Sequence, residues 1–277
     1  MAFFRYPGGK TKLRKKIVGA LHELKDGAEE YREPFFGGGV IGLQFMKESP
    51  EIQRAWFNDY DIGLSLLWTS VLTNHERLMD LVLGYTPKVE DFYVFKEELL
   101  ALSHDEVPII EEDRLLVAFK KLAIHQISYS GLGTQSGSPL GGKKQESKYK
   151  IDCRWSPEHI CKKIKNIHKE CGTWDLRTPG CTCLDFEPVI AEDSCPALIY
   201  VDPPYFDKGG ELYQHSFTTE DHERLAEALQ NTRHKWVLSY DDCPKIRDLY
   251  SWAIVEEIKV NYTINQSRMK GEVLIRN

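Results

Sequence analysis

Short apolar runs alternate with amphipathic stretches at both ends of the chain, and this rhythm predicts the elements. After "PGGK", Leu13, Ile17, Leu21 and Leu24 recur at helical spacing. "EYREPFF" then reads as a strand, "GGG" as a turn and "VIGLQFM" as a helix. "RAWFNDYD" reads as a second strand ending in acids, followed by the helical "IGLSLLWTSVL". Toward the other end, "ALIYV", "KWVLSY" and "WAIVEEI" read as strands, and the helix "TTEDHERLAEALQ" lies between the first two. Thr218 or Thr219 is placed to cap that helix, because a hydroxyl oxygen can accept from an amide of the first turn. Strands alternating with helices imply an α/β fold: a mostly parallel, Rossmann-like sheet with helices on both faces.

The middle breaks the rhythm. Residues 88 to 128 carry helical patterns with no matching strands. The stretch 129 to 142, "YSGLGTQSGSPLGG", is too rich in Gly and Ser for a regular element. A basic segment, "KKQESKYKIDCRW", follows, and a helix starts near Ser156. The expected organisation is a discontinuous α/β domain, 1–71 and 155–277, interrupted by a mainly helical insertion at 72–154. A structureless loop of that length inside a compact domain favours a binding role.

The bulk numbers fit this plan. A chain of 277 residues can bury one large α/β core and a smaller insertion. No apolar run approaches the roughly 18 residues of a membrane span. The start, "MAFFRYPGGK", lacks the apolar core and cleavage site of a signal peptide. Seven cysteines, an odd number, argue for a reducing compartment, hence the cytoplasm. Cys181 and Cys183 are separated by one residue, which is not a standard zinc spacing, so core thiols are expected and no metal.

Net charge is −6, but its distribution is uneven. Residues 143 to 170 hold nine Lys/Arg against four acids, and residues 5 to 16 hold six basic residues and no acid. Basic patches on an acidic body are compatible with a nucleic-acid footprint, and equally with solvated helix faces. Candidate phosphate contacts are Arg5, Lys143, Lys144, Lys148, Lys150 and Arg154. Ser130, Gln135 and Ser138 of the glycine-rich loop are candidates to reach base edges.

Three short motifs carry possible chemistry. "GGKT" at 8 to 11 is not a phosphate loop, since position 4 is Phe where that motif needs Gly, and no strand precedes it. "EPFFGGG" joins a strand to a helix through glycines, which let backbone approach a ligand closely. Asp59 lies 20 residues after Gly39, where a nucleoside-binding fold places an acid for ribose hydroxyls; a helix N-cap is the plainer alternative. "DPPY" ends a strand, and ligands of open α/β sheets bind at such ends. Pro203 and Pro204 remove two amide donors. The corner then offers acceptors only: the Asp202 carboxylate and the Pro203 carbonyl. With Tyr205 as a flat surface, it suits a nucleobase bearing an amino group.

With these motifs in order along nearly the whole chain, the sequence resembles the Dam-type N6-adenine-specific DNA methyltransferases, which use S-adenosyl-L-methionine. "FRYPGGKTKL" resembles the family's N-terminal cofactor motif, which implies Tyr6 at its aromatic position and Lys10 as its lysine. "EPFFGGG" resembles the main cofactor loop, implying cofactor contacts from Glu33, Pro34, Phe35, Gly37 and Gly39. "NDYD" places the ribose acid on Asp59. "CLDFEPVI" resembles the segment that meets the cofactor adenine, pointing to Asp185 and Phe186. "DPPY" resembles the catalytic motif, and "LYQHSF", "WVLSYDD" and "KGEVLIRN" resemble the segments after it. Tyr6 departs from the Trp often found there, and "SYSGLGTQSGSPLGG" does not match the hairpin of GATC-reading members.

The resemblance implies a reaction. A target adenine flips out of double-stranded DNA, its amino hydrogens are held by Asp202 and the Pro203 carbonyl, and Tyr205 stacks on the ring. Transfer is then one in-line displacement, driven by positioning and electrostatics. The loop "FDKGGELYQHSF", with Gly209 and Gly210, could close over the base, or could be an ordinary surface loop. Similar acceptor pockets can serve RNA bases or a protein glutamine, and a non-catalytic DNA-binding relative is the other rival. A cognate restriction endonuclease, a phage setting or an epigenetic role would all leave the same sequence.

Overall fold

The computed structural model describes residues 3–206, 217–259 and 271–277. In chain order its helices and strands begin with α1 (Arg14–Leu24), β1 (Glu30–Glu33), α2 (Val40–Glu48), β2 (Arg54–Asn58) and α3 (Ile62–Thr73). Then come α4 (His75–Leu83), α5 (Val89–Leu100), α6 (Glu111–Ile127), α7 (Pro157–Cys171) and β3 (Asp175–Thr182). The last are α8 (Phe186–Ala191), β4 (Ala197–Val201), α9 (Thr219–Asn231), β5 (Lys235–Asp241), α10 (Pro244–Leu249), β6 (Ile254–Lys259) and β7 (Gly271–Arg276). The described residues fall into two compact units. One takes Met1–Gly9, Gly37–Gly39 and Asp59–Cys183; the other takes Lys10–Phe36, Val40–Asn58 and Leu184–Asn277.

The second unit holds the sheet expected from the alternating pattern. Six strands are ordered β2-β1-β4-β5-β7-β6. The first four are parallel, with Tyr31 opposite Ala55 and Leu198, and Ile199 opposite Trp236. The last strand reverses: β7 lies antiparallel between β5 and β6, with Leu274 opposite both Ser239 and Glu256. Alternate side chains of β4 serve opposite faces, as the two-residue period requires. Ala197, Ile199 and Val201 join Phe186 and Ile190 of α8 and Leu225 and Leu229 of α9 in one core. Tyr31, in register with Leu198 on the other face, packs its ring 5.0 Å from Phe45 of α2. Helices therefore cover both faces, and the unit is α/β and Rossmann-like.

β1 stops at Glu33 because Pro34 has no amide to donate. Its Arg32 is fully buried, and that charge is satisfied by Glu30 at 2.6 Å, Glu192 at 2.8 Å and the carbonyls of Val189 and Glu192. Thr218 is the residue that caps α9, in a capping box with Asp221.

The first unit is mainly helical, from α3 to α7, and residues 75 to 127 contain helices and no strand. Ser65 and Thr69 of α3 donate to the Cys181 carbonyl at 3.0 and 3.1 Å, tying α3 to β3. Tyr85, Phe95, Phe119 and Trp155 form an aromatic cluster. The glycine-rich loop has no regular element beyond short 3-10 turns, yet it closes on itself. Tyr129 donates to the Ser138 carbonyl at 3.0 Å, and Leu140 donates to the Ile127 carbonyl at 2.7 Å. Gly131 and Gly133 adopt positive φ, which only glycine takes without strain. No helix among the described residues is long and apolar enough to cross a membrane.

Candidate active-site residues

In the first unit the chemistry converges on Asp59. β2 ends at Asn58, so Asp59 is the next residue, and it is 8% exposed. Its Oδ2 accepts from the Gly37 amide at 2.7 Å and its Oδ1 from the Asp61 amide at 3.0 Å. Both oxygens are thus fixed by backbone, and each retains acceptor capacity for a ligand hydroxyl. The N-cap of α3 is Asp61, which accepts from the Leu64 amide at 2.9 Å, so Asp59 does no capping. Burial, then the neighbouring Asp61 charge, pushes the Asp59 carboxyl up to about 7.

The glycine loop is shaped around Tyr6. A Cβ on Gly37 would stand 2.7 Å from the Tyr6 ring, and one on Gly38 would stand 3.2 Å from the Tyr6 Cβ. Gly37 and Gly39 have positive φ, and the Gly37 carbonyl accepts from the Trp68 indole at 2.8 Å. Tyr6, Gly37, Gly39 and Asp59 are therefore neighbours in one corner.

The second unit gathers the other motif residues. Asp202 follows β4 directly. Its Oδ1 accepts from the Lys10 ammonium at 2.6 Å and from Ser239 Oγ at 3.0 Å. Among the described residues both polar partners sit on Oδ1, and Oδ2 has none. Ser239 is itself paired with the Tyr200 hydroxyl at 2.9 Å. Burial pushes the Asp202 carboxyl upward, against the opposing pull of Lys10. Pro203 and Pro204 follow with no amide hydrogens, so the backbone here presents carbonyls alone. Tyr205 donates to Glu272 of β7 at 3.1 Å, and its ring lies 4.5 Å from the Lys10 ammonium. The flat surface expected for a base thus already carries a cation.

Glu33, Pro34 and Phe35 lie at the end of β1. Glu33 is buried and accepts from the Tyr31 hydroxyl at 2.8 Å. Asn58 donates to the Pro34 carbonyl at 2.9 Å and accepts from the Leu184 amide at 2.9 Å, which joins the loops after β1 and before α8. Phe35, Phe186 and Phe217 form an aromatic trio with centroids 5.5 to 5.8 Å apart. Asp185 caps α8 and accepts from Arg224, whose guanidinium lies 5.0 Å from the Phe186 ring.

The residues expected to meet DNA are more scattered. Lys143, Lys144, Lys148 and Lys150 are exposed. Lys150 turns back to the Gln145 carbonyl, and Lys148 lies 5.9 Å from the Tyr149 ring. Arg154 is half-buried, and its Nη1 is buried without a hydrogen-bond partner among the described residues. Arg5 is exposed and abuts the loop, since a Cβ on Gly131 would stand 2.7 Å from the Arg5 Cβ. Ser130 is exposed at φ 57°, whereas Gln135 and Ser138 are half-buried, with the Ser138 carbonyl engaged by Tyr129 and Ser136. Residues 207–216, including Gly209 and Gly210, lie outside the described residues.

Ser239, Glu272 and Arg224 have no counterpart among the residues singled out from sequence. Ser239 lies within the quoted "WVLSYDD" and Glu272 within "KGEVLIRN", so the segments were flagged but not the side chains. Compared with known proteins, the chain matches over residues 6–264 a family model described as D12 class N6 adenine-specific DNA methyltransferase. No curated protein matches it.

Proposed function

Because the chain belongs to the D12 class N6 adenine-specific DNA methyltransferases, we propose that it methylates the N6 amino group of an adenine flipped out of a specific short sequence in double-stranded DNA, using S-adenosyl-L-methionine. The observation that carries the reading is the Asp202 corner: a partly buried carboxylate with one oxygen held by two donors, the other with no partner among the described residues, and two prolines beside it.

The residues around Asp59 fit the cofactor. A carboxylate with both oxygens fixed by amides suits two ribose hydroxyls, and the glycines leave backbone where a side chain would collide with Tyr6. In the second unit, Phe35 and Phe186 supply apolar surface for the cofactor adenine and Asp185 an acceptor for its amino group. Glu33 is a further acid of the cofactor loop, and Lys10 and Tyr6 complete the N-terminal motif. When bound, the cofactor supplies an electrophilic methyl group.

The chain's own residues do the remainder. Asp202 Oδ2 accepts one N6 hydrogen and the Pro203 carbonyl accepts the other, which draws the nitrogen lone pair out of conjugation. Tyr205 holds the ring, with Lys10 leaving its face or remaining on the opposite one. As the nitrogen–methyl bond formed and the methyl–sulfur bond broke, its electron pair staying on sulfur, the N6 proton would pass to Asp202 Oδ2 and then to solvent. Burial favours that protonated form, consistent with the upward displacement of this carboxyl. The insertion 72–154 would read the DNA, with Ser130, Gln135 and Ser138 near base edges and Arg5, Lys143, Lys144, Lys148, Lys150 and Arg154 on phosphates. Such an enzyme would act in the cytoplasm of a bacterial or phage-infected cell, alone or beside a cognate restriction endonuclease.

The test offers cofactor tritiated on its methyl group with plasmid DNA, total RNA and protein as separate acceptors. Label in DNA, released as N6-methyladenine, is expected. Label confined to RNA or protein, or none at all, would overturn the proposal.

A further inference from the structure

Lys121 is a buried cation far along the chain from any recognised motif. It lies in the penultimate turn region of α6, is 2% exposed, and forms an ion pair with Asp61 Oδ2. Asp61 in turn performs two local tasks. Its other oxygen caps α3 through the Leu64 amide, and its own amide donates to Asp59 Oδ1 at 3.0 Å. The packing around the lysine is close: a Cβ on Gly63 would stand 2.9 Å from the Lys121 Cδ. The stem is thus seated against the first turn of α3.

Two acids two residues apart, both shielded from water, repel each other and oppose ionisation of Asp59. The groups that face this corner are Asp61 from the start of α3, Lys121 and the neutral His125 from α6, and Cys183 after β3. Burial holds the His125 ring deprotonated, with its pKa near 4, so it supplies no positive charge at neutral pH. Lys121 is therefore a cation that offsets the acid pair.

We propose that Lys121 is a positioning residue for cofactor binding: from α6 it holds Asp61 in the place where the Asp61 amide fixes Asp59, and it keeps Asp59 able to accept ribose hydroxyls. The inference rests on Asp59 being the ribose acid. It gives the helical segment a stake in cofactor binding, separate from any contact with DNA.

The experiment titrates S-adenosylhomocysteine into the full-length protein, without DNA, between pH 6 and 9. Lys121→Met should bind at least about tenfold more weakly than the parent at pH 7, with much of the difference gone by pH 9, where Asp59 ionises unaided. The double variant Lys121→Met/Asp61→Asn should regain affinity near pH 7, because Asn keeps the helix cap and removes the repelling charge. Parent-like affinity and pH profile in Lys121→Met would overturn the proposal. So would weak binding at every pH with no recovery in the double variant, the signature of a merely structural ion pair. Asp59→Ala separates the two levels: if it binds cofactor normally, the ribose assignment itself fails; if it binds weakly while Lys121→Met is normal, only the lysine inference fails.

Discussion

Asp59 and Asp202 each follow a parallel strand, Asp59 is buried and Asp202 partly so, and burial displaces both carboxyls upward. They are held by different means. Asp59 is gripped by two backbone amides, from Gly37 and Asp61, which no side-chain motion can withdraw. Asp202 is held on one oxygen by two side chains, Lys10 and Ser239, and a side chain can be displaced. Amide-held oxygens suit a ligand whose hydroxyls recur unchanged at every turnover. A side-chain grip suits a site that must admit a base, pass a proton and release the product. Preorganisation is thus complete at one carboxylate and adjustable at the other.

That contrast can be broken experimentally, beginning with the largest effect. Asp202→Ala should lower single-turnover methyl transfer by on the order of 10³-fold, as loss of an oriented acceptor does, while cofactor affinity stays unchanged. Quench-flow transfer and calorimetry on the same preparation check both halves. Asp59→Ala should do the reverse. Cofactor affinity should fall by about 10- to 100-fold, the scale of hydrogen bonds to a charged group, with transfer at saturating cofactor little changed.

Ser239→Ala should cost about tenfold in transfer rate, since Asp202 loses one of two restraints, and leave cofactor affinity alone. The rate should also rise with pH along a limb above the ordinary carboxylate range, because Asp202 must be ionised to accept. Lys10→Met should move that limb to still higher pH, as Lys10 favours the ionised form. A further effect concerns stability. The Asp59 carboxyl titrates near 7 when folded and near 3.8 in the ordinary state, so folding favours its protonated form. Its contribution is therefore fully present below the lower value and lost as pH rises through about 7. Thermal unfolding at pH 5 and pH 8 should show Asp59→Asn gaining on the parent at the higher pH; parallel curves would sink the assignment.

Much of the second unit was legible because its strands are short apolar runs closed by breakers. "ALIYV" ends at Asp202, "RAWFN" at Asp59, and Thr218 announces α9. β3 was not legible. Its sequence, "DLRTPGCT", contains Pro179 and Gly180, and only Gly180 and Cys181 are buried, so neither alternation nor an apolar run marks it. The acceptor corner could be read from "DPPY", since proline chemistry is local. Its supports could not. Ser239 sits in a buried strand and resembles any core serine, and Lys121 stands beside Lys120 in a helix, where a pair of lysines reads as a solvated face. Their partners are distant in sequence, at Asp202 and Asp61, and only folding discloses them.

The placing of β7 bears on how the protein is made. Residues 271–276 lie between β5 and β6, and Asn277 exchanges hydrogen bonds with Trp236 and His234. Glu272, which receives the Tyr205 hydroxyl, belongs to the same strand. A nascent chain interrupted before residue 271 would leave β5 and β6 unjoined and Tyr205 without that partner. The ribosome must therefore deliver this strand before the Asp202 corner can be completed, so premature termination should yield aggregation-prone fragments rather than a slower methylase.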